Sequence, residues 1–271
     1  MKIITFGISV TALFCVASAF AQDHKLGYDT TPYYPGSKWR VHDSSRPRPG
    51  AITPSTCNAQ KGKAPSDAEV LFDGHDLSKF VSMKGGVAGE PGWKLGEGVM
   101  EVIPGKGDIF SKEAFGDMQI HLEWASPSEV KGDSQNRGNS GLKISGLYEI
   151  QILDSYKNPT YPDGQAGALY GQTPPLVNAS KPPGEWQTYD ILWEGPRWDA
   201  EGKLVRKASV TVLHNGLVLH HKRELVGFTN HKNIPPYKPH PPHGYIELYE
   251  HGNPVRFRNI WLRPLGEYDK P

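Results

Sequence analysis

What most constrains this chain is its punctuation by glycine and proline. Gly 30 and Pro 24 take up one in five of its 271 residues. Inside a helix, glycine costs roughly 1 kcal/mol and proline about 3 relative to alanine, and proline also removes a backbone donor. Helical bundles and coiled coils are therefore excluded, and short strands closed by turns remain. Met118-Gln-Ile-His-Leu-Glu-Trp124 alternates apolar and polar residues, the pattern of a half-buried strand. Ala208–Leu213 alternates too, and His214-Asn215-Gly216 separates it from Leu217–Leu219. Asn-Gly in that place predicts a hairpin, because a type I′ turn needs positive φ at both central positions. Further strand candidates are Val99–Ile103, Gly141–Ser145, Leu147–Leu153, Trp186–Trp193, Tyr245–Tyr249 and Val255–Leu262. There is no long amphipathic window, no βαβ pattern and no Gly-rich phosphate loop. The chain reads as an all-β sandwich or barrel.

Three segments follow one another. Residues 1–21 have Lys2, an apolar run and Ala19-Phe20-Ala21 as a small-x-small cleavage pattern, so they read as a secretory signal peptide. The run is too short to span a membrane, and no later segment is long or apolar enough. The expected location is exported, periplasmic or extracellular. Loss of Lys2 lowers Lys+Arg from 30 to 29, equal to Asp+Glu 29, and such a balance argues against nucleic-acid binding. Cys57 is the one cysteine left, so no disulfide forms within the mature chain. Residues 22–66 contain Pro32, Pro35, Pro47, Pro49, Pro54 and Pro65 and read as an extended N-terminal arm, with Tyr33, Tyr34 and Trp39 able to pack on the domain. Residues 67–271 form that domain.

Three polar patches carry candidate chemistry. In the first, Asn139-Ser140-Gly141 precedes Tyr148-Glu-Ile-Gln-Ile-Leu-Asp154. Strand alternation puts Glu149 and Gln151 on one face and Ile150 and Ile152 on the other, toward the core. The Glu-x-Gln-x-x-Asp spacing is similar to the Glu-x-Asp-x-x-Glu run of laminarinase-type retaining glycanases, whose two carboxyl groups lie roughly 5–5.5 Å apart. Without a bulge Asp154 points away from Glu149, and it then serves as a turn residue before Ser155. The second patch includes Tyr170, Gln172, Lys181, Glu185 and Trp186, an inventory that suits sugar recognition or a well-packed loop. In the third, Glu247 and Tyr249 share a face, His251 opens a Gly-Asn-Pro turn and Arg256 follows in the next strand. His251 suits a general base and Arg256 an oxyanion partner; the alternative is a backbone-bonded turn histidine and an arginine paired with a carboxylate. The histidines His240 and His243, with His251 beyond, lack a zinc motif context.

Leu71-Phe-Asp-Gly-His-Asp-Leu77, Asn139-Ser-Gly141, Tyr148-Glu-Ile-Gln-Ile-Leu-Asp154, Ala168-Leu-Tyr-Gly171, Asn178-Ala-Ser-Lys-Pro-Pro-Gly-Glu-Trp186, His214-Asn-Gly216 and Pro254-Val-Arg-Phe-Arg-Asn-Ile-Trp261 occur in one order. Together they resemble the 3-keto-disaccharide hydrolase family over about Ala68 to Leu265. The resemblance implies a concanavalin/laminarinase-like jelly-roll β-sandwich, exported and acting on glycosides oxidised at C3. It implies C2 proton abstraction, elimination of the C1 group and hydration. Glu149 or His251 would be base or acid, and Arg256, Lys181 or a bound divalent metal would stabilise the enolate. Asn139, Gln151, Asp154, Tyr170, Gln172, Glu185, Glu247 and Tyr249 would bind the sugar. Two positions depart from the family pattern: Phe80 stands for a Trp, a core exchange, and Tyr249-Glu250-His251 replaces a Gln–acid–His run, which bears on substrate choice. The other readings are a non-catalytic carbohydrate-binding module on the same sandwich and a retaining glycosidase.

Overall fold

The computed structural model describes residues 26–48, 50–51 and 64–266; residues 1–21, expected to be a signal peptide, and Cys57 lie outside them. The strands are β1 Gly50–Ala51, β2 Glu69–Phe72, β3 Phe80–Lys84, β4 Val87–Gly89, β5 Lys94–Gly96, β6 Val99–Glu101, β7 Ile109–Ser111, β8 Met118–Ala125 and β9 Ser140–Ile144. They continue as β10 Tyr148–Ile152, β11 Val177–Asn178, β12 Gln187–Glu194, β13 Arg197–Trp198, β14 Leu204–Arg206, β15 Ser209–His214, β16 Leu217–Glu224, β17 Ile246–Leu248 and β18 Arg256–Pro264. Two short 3₁₀ turns, at Ser134–Asn136 and Pro162–Gly164, are the only helical elements among the described residues. None is long and apolar enough to cross a membrane.

Two antiparallel sheets make the sandwich. One runs β10-β9-β17-β7-β3-β4; the other runs β16-β15-β12-β8-β18-β6-β5, with β2 also paired to β18. Neighbours such as β9 and β17 are about a hundred residues apart in sequence, which is jelly-roll connectivity. Alternation decides what fills the space between the sheets. Leu142, Ile144, Ile150, Ile152, Ile246 and Leu248 of the first sheet meet Ile120, Leu122, Trp124, Tyr189, Ile191 and Phe257 of the second in one core cluster. Fully burying each such aliphatic side chain is worth about 1.5–3 kcal/mol. Phe80 is buried in the same cluster, as a core exchange requires. The hairpin forms at the expected place: Asn215 has φ +52° and Gly216 +80°, and His214 pairs with Leu217.

The core strand β10 is an edge strand, and the chain covers that edge itself. Gln151 N–H donates to the Ala168 carbonyl, Gly167 N–H to Gln151, and Tyr170 N–H to Glu149. Glu149 N–H donates to Thr229 Oγ1 at 2.8 Å. An exposed row of donors is thus converted into a fixed loop. Part of the arm also packs on the domain: Tyr34, Val41 and His42 are buried, whereas Tyr33 is exposed.

Candidate functional site

The outer face of the six-stranded sheet holds a charged row set by strand register. Glu149 of β10 faces Lys143 of β9, and Lys143 faces Glu247 of β17, which in turn faces Phe110 of β7. Opposite charges on adjacent strands attract, whereas the two glutamates alone would repel. Lys143 Nζ lies 3.9 Å from Glu247 Oε1 and 3.7 Å from the Tyr249 ring centroid. A third acid, Asp108, accepts Glu250 N–H at 2.7 Å and hydrogen-bonds the Glu247 carboxyl.

Space for the Glu149 carboxyl comes from a glycine. The next row pairs Gln151 with Gly141. A Cβ on Gly141 would stand 2.7 Å from Glu149 Oε1. The Asn139-Ser140-Gly141 motif therefore leaves a gap diagonal to the acid, into which its carboxyl leans.

The electrostatics follow from this packing. Burial pushes the Glu149 carboxyl up to about 7; Lys143 opposes the rise, and Glu247 and Asp108 reinforce it. Burial also raises Glu247 and Asp108, and two carboxyls sharing a hydrogen bond hold a proton between them. The face thus carries a buried acid raised toward neutrality, a hydrogen-bonded carboxyl pair with raised affinity for protons and the side chain of Lys143. That is the equipment for moving a proton at a carbon next to a carbonyl.

A ring cluster adjoins the row. Tyr170 hydroxyl lies 2.9 Å from that of Tyr161 and 3.0 Å from His231 Nδ1. His251 is exposed at the rim, its ring 5.7 Å from that of Tyr249. Tyr170 N–H donates to the Glu149 carbonyl, and Lys143, across from Glu149, lies over the Tyr249 ring, so both tyrosines adjoin the row.

Several sequence candidates therefore come together: Glu149, Glu247, Tyr249, Tyr170 and His251. Gln151 shares the face, but it is buried and its amide is engaged by Gln135 Oε1 and by Ile152 N–H. Asn139 donates to the Gln135 carbonyl. Both amides shape the floor.

Other candidates stand elsewhere. Arg256 lies on the outer face of the eight-stranded sheet, because its neighbour Phe257 fills the core. Its guanidinium bonds the Gly184 carbonyl and lies 5.4 Å from the Trp186 ring centroid. Arg256 is therefore set apart from Glu149, and among the described residues its guanidinium contacts are with Gly184 and Trp186. Lys181 Nζ donates to the Trp186 carbonyl, and Glu185 beside it is exposed. Gln172 is spent on backbone, binding Gly227 and Phe228 carbonyls and Val226 N–H. Asp154 pairs with Arg137 at 2.7 Å and caps Tyr156 N–H. Strand β10 pairs with β9 without a bulge, so the carboxylate pair of a retaining glycanase does not form from Glu149 and Asp154. His240 bonds the Tyr148 hydroxyl.

Among the described residues no group of three or more His, Cys, Asp or Glu side chains is arranged to hold a metal. The positive charge within the acid row is Lys143. Lys143 and Asp108 were not apparent as site residues from the sequence. The alternation of Ser140-Gly-Leu-Lys-Ile144 puts Lys143 on the Gly141 face, but only the β10-β9-β17 order reveals the two glutamates flanking it.

Comparison with known proteins agrees with this fold. The model of the 3-keto-alpha-glucoside-1,2-lyase-like domain matches residues 67–263. A solved structure from Parabacteroides distasonis ATCC 8503, of a protein proposed to be a glycosyl hydrolase, is 43% identical with TM-score 0.73, covering 85% of this chain and 99% of its own. A second structure from that organism, described likewise, is 20% identical with TM-score 0.55, covering 74% of this chain and 94% of its own, and shows the same fold. No curated protein matches the chain. With the family model spanning well over half of its length, the chain belongs to the 3-keto-alpha-glucoside-1,2-lyase-like domain family.

Proposed function

We propose that the protein cleaves 3-keto glycosides by proton abstraction at C2, with the Glu149 carboxyl as the proton-transferring group. The observation that carries this reading is the acid row around Lys143, in which burial pushes Glu149 to about 7. A carboxylate of that basicity is matched to work near neutral pH. Glu149 takes the C2 proton, and the bonding pair moves into a C2–C3 enolate whose oxygen faces the Lys143 ammonium. The pair then returns to form the C1–C2 double bond as the C1–O bond breaks, and the departing alkoxide takes the proton held between Glu247 and Asp108. Water adding across C1–C2 gives the free 3-keto sugar. Tyr249 and Tyr170 offer ring faces and hydroxyls to the sugar, and His251 stands at the solvent rim. The role first expected of Arg256 passes to Lys143 in this scheme. Export by the residues 1–21 signal is part of the same proposal, since oxidised glycosides would be met outside the cytoplasm.

The test is incubation with 3-keto-trehalose or a 3-keto-glucoside beside the unoxidised sugars, with and without chelator, followed by product analysis. Cleavage of the keto sugars, C2 deuterium exchange in D₂O and loss of about 10²-fold or more in Glu149→Gln are expected. Equal cleavage of unoxidised disaccharides, or no exchange at C2 during turnover, would overturn the reading.

A further inference from the structure

Residues 26–48 lie outside the segment that defines the family, yet one of them is locked into the wall of the site. His42 is wholly buried and has φ +57°, a left-handed conformation uncommon for a residue with a Cβ. Such an outlier persists only where its surroundings over-determine it. Here Asp163, 121 residues away and equally buried, does so twice: one carboxylate oxygen accepts His42 N–H and the other accepts Nδ1–H, each at 2.9 Å. That bond sets Nδ1 against the carboxylate, while Nε2 is buried with no partner among the described residues.

The ring so fixed lies under the rings beside Glu149. Its centroid is 4.1 Å from Tyr161, 5.2 Å from Tyr170 and 5.2 Å from His231. Gly171, at φ +70°, lets the loop come this close, with its missing Cβ 3.5 Å from His42 Cε1. Above, the Tyr170 hydroxyl is bonded to both Tyr161 and His231 Nδ1. The direction of that hydroxyl and the tautomer of a neutral His231 are therefore tied to each other.

We infer that His42 is a positioning residue of the site: the N-terminal arm, through the Asp163–His42 pair, holds Tyr170 and His231 in register beside Glu149 and fixes the His231 tautomer. The inference rests on the proposed function for its substrate but not for its geometry. The groups facing His231 are Tyr28 and His42 from the arm, Tyr170 from the loop, His251 from the rim and Lys232 next to it. Burial, with the charges of His42, Lys232 and His251, holds His231 down to about 4, consistent with a neutral ring at working pH.

The deciding variant is His42→Asn in the full chain. Asparagine tolerates the left-handed conformation, and its amide N–H can keep the bond to Asp163, so the arm stays docked while the imidazole is gone. His42→Ala removes both. Long-range ¹H–¹⁵N NMR reads the His231 tautomer and titration, and steady-state kinetics on a 3-keto-glucoside reads function. In His42→Asn, with the arm still protected from proteolysis, kcat is expected to fall about tenfold or more with KM within about twofold, and His231 to titrate closer to about 6.5 with mixed tautomers. An unchanged kcat, an unchanged His231 spectrum, or loss of docking in His42→Asn each overturns the inference. If the wild type turns over no 3-keto glycoside, the proposed function falls and the NMR measurement alone still decides the role of His42.

Discussion

Removing the Glu149 charge should stabilise the protein while abolishing its activity, and the gain should have a defined pH dependence. In the unfolded chain this carboxyl ionises near 4.5, and in the folded protein near 7, chiefly because it is buried. Below about 4.5 it is protonated in both states and contributes nothing. Between these values the unfolded chain ionises while the folded one stays protonated, which favours unfolding. Above about 7 the full penalty is present, and the gap corresponds to about 3 kcal/mol. Glu149→Gln keeps the shape and removes the titration. Its excess stability over wild type should therefore be near zero at pH 4, grow through the interval and level off at about 3 kcal/mol by pH 8. For a domain of this size that is about 6–12 °C in Tm. Chemical denaturation of both proteins across pH 4–8.5, with kcat followed in parallel, supplies the data. A stability difference that does not vary with pH would refute the reasoning, because it would mean that the Glu149 carboxyl is not held in a raised state.

Other expectations follow from single contacts. Gly141→Ala puts a methyl group 2.7 Å from Glu149 Oε1; a displaced carboxyl should cost up to about 10²-fold in kcat with Tm nearly unchanged, and a folded variant of wild-type rate would show the gap to be idle. Arg256→Ala should keep kcat within about twofold, since the side chain lies on the other sheet; a loss like that of a catalytic residue, about 10²-fold, would return Arg256 to the site. Asn215→Ala should destabilise by about 2–3 kcal/mol in denaturant titration, losing the positive-φ preference and bonds to Thr188, Ala179 and Gln187. His121, on the far sheet, is opposed by burial but raised to about 9 by its bonds to Asp190 and Glu123. The stability it contributes should be complete below about 6.5 and vanish as pH rises through about 9, so His121→Gln should destabilise at pH 6 and approach wild type at pH 10.

The strands and the polar face of β10 were legible because both obey a local period of two, although that face is buried rather than wet. Ile150 and Ile152 pointed to the core and Glu149 and Gln151 away from it on that ground alone. The Asn215-Gly216 turn was legible because its dihedral demand selects residue types. Sheet membership has no such local signature. Arg256 follows His251 closely in sequence, yet the chain crosses from one sheet to the other between β17 and β18, and proximity along the chain misled. Lys143 needed the order β10-β9-β17, which depends on long connections. Gln172 and Asp154 looked like ligands because polar residues in loops serve backbone and sugar hydroxyls with the same chemistry. His42 was invisible, since its partner Asp163 is 121 residues away and nothing periodic surrounds either.

The covered edge of β10 has a consequence for how such a protein can diversify. The loop through Gly167, Ala168 and Tyr170 is at once the seal on an edge strand and the support of a ring beside the acid. Lengthening or shortening it to admit a new sugar would unseal that strand and invite pairing with a neighbouring molecule. Specificity in this lineage should therefore drift by exchange of side chains at fixed loop length, with rim positions such as Tyr249 and His251 varying most readily, rather than by the insertions that remodel binding faces elsewhere.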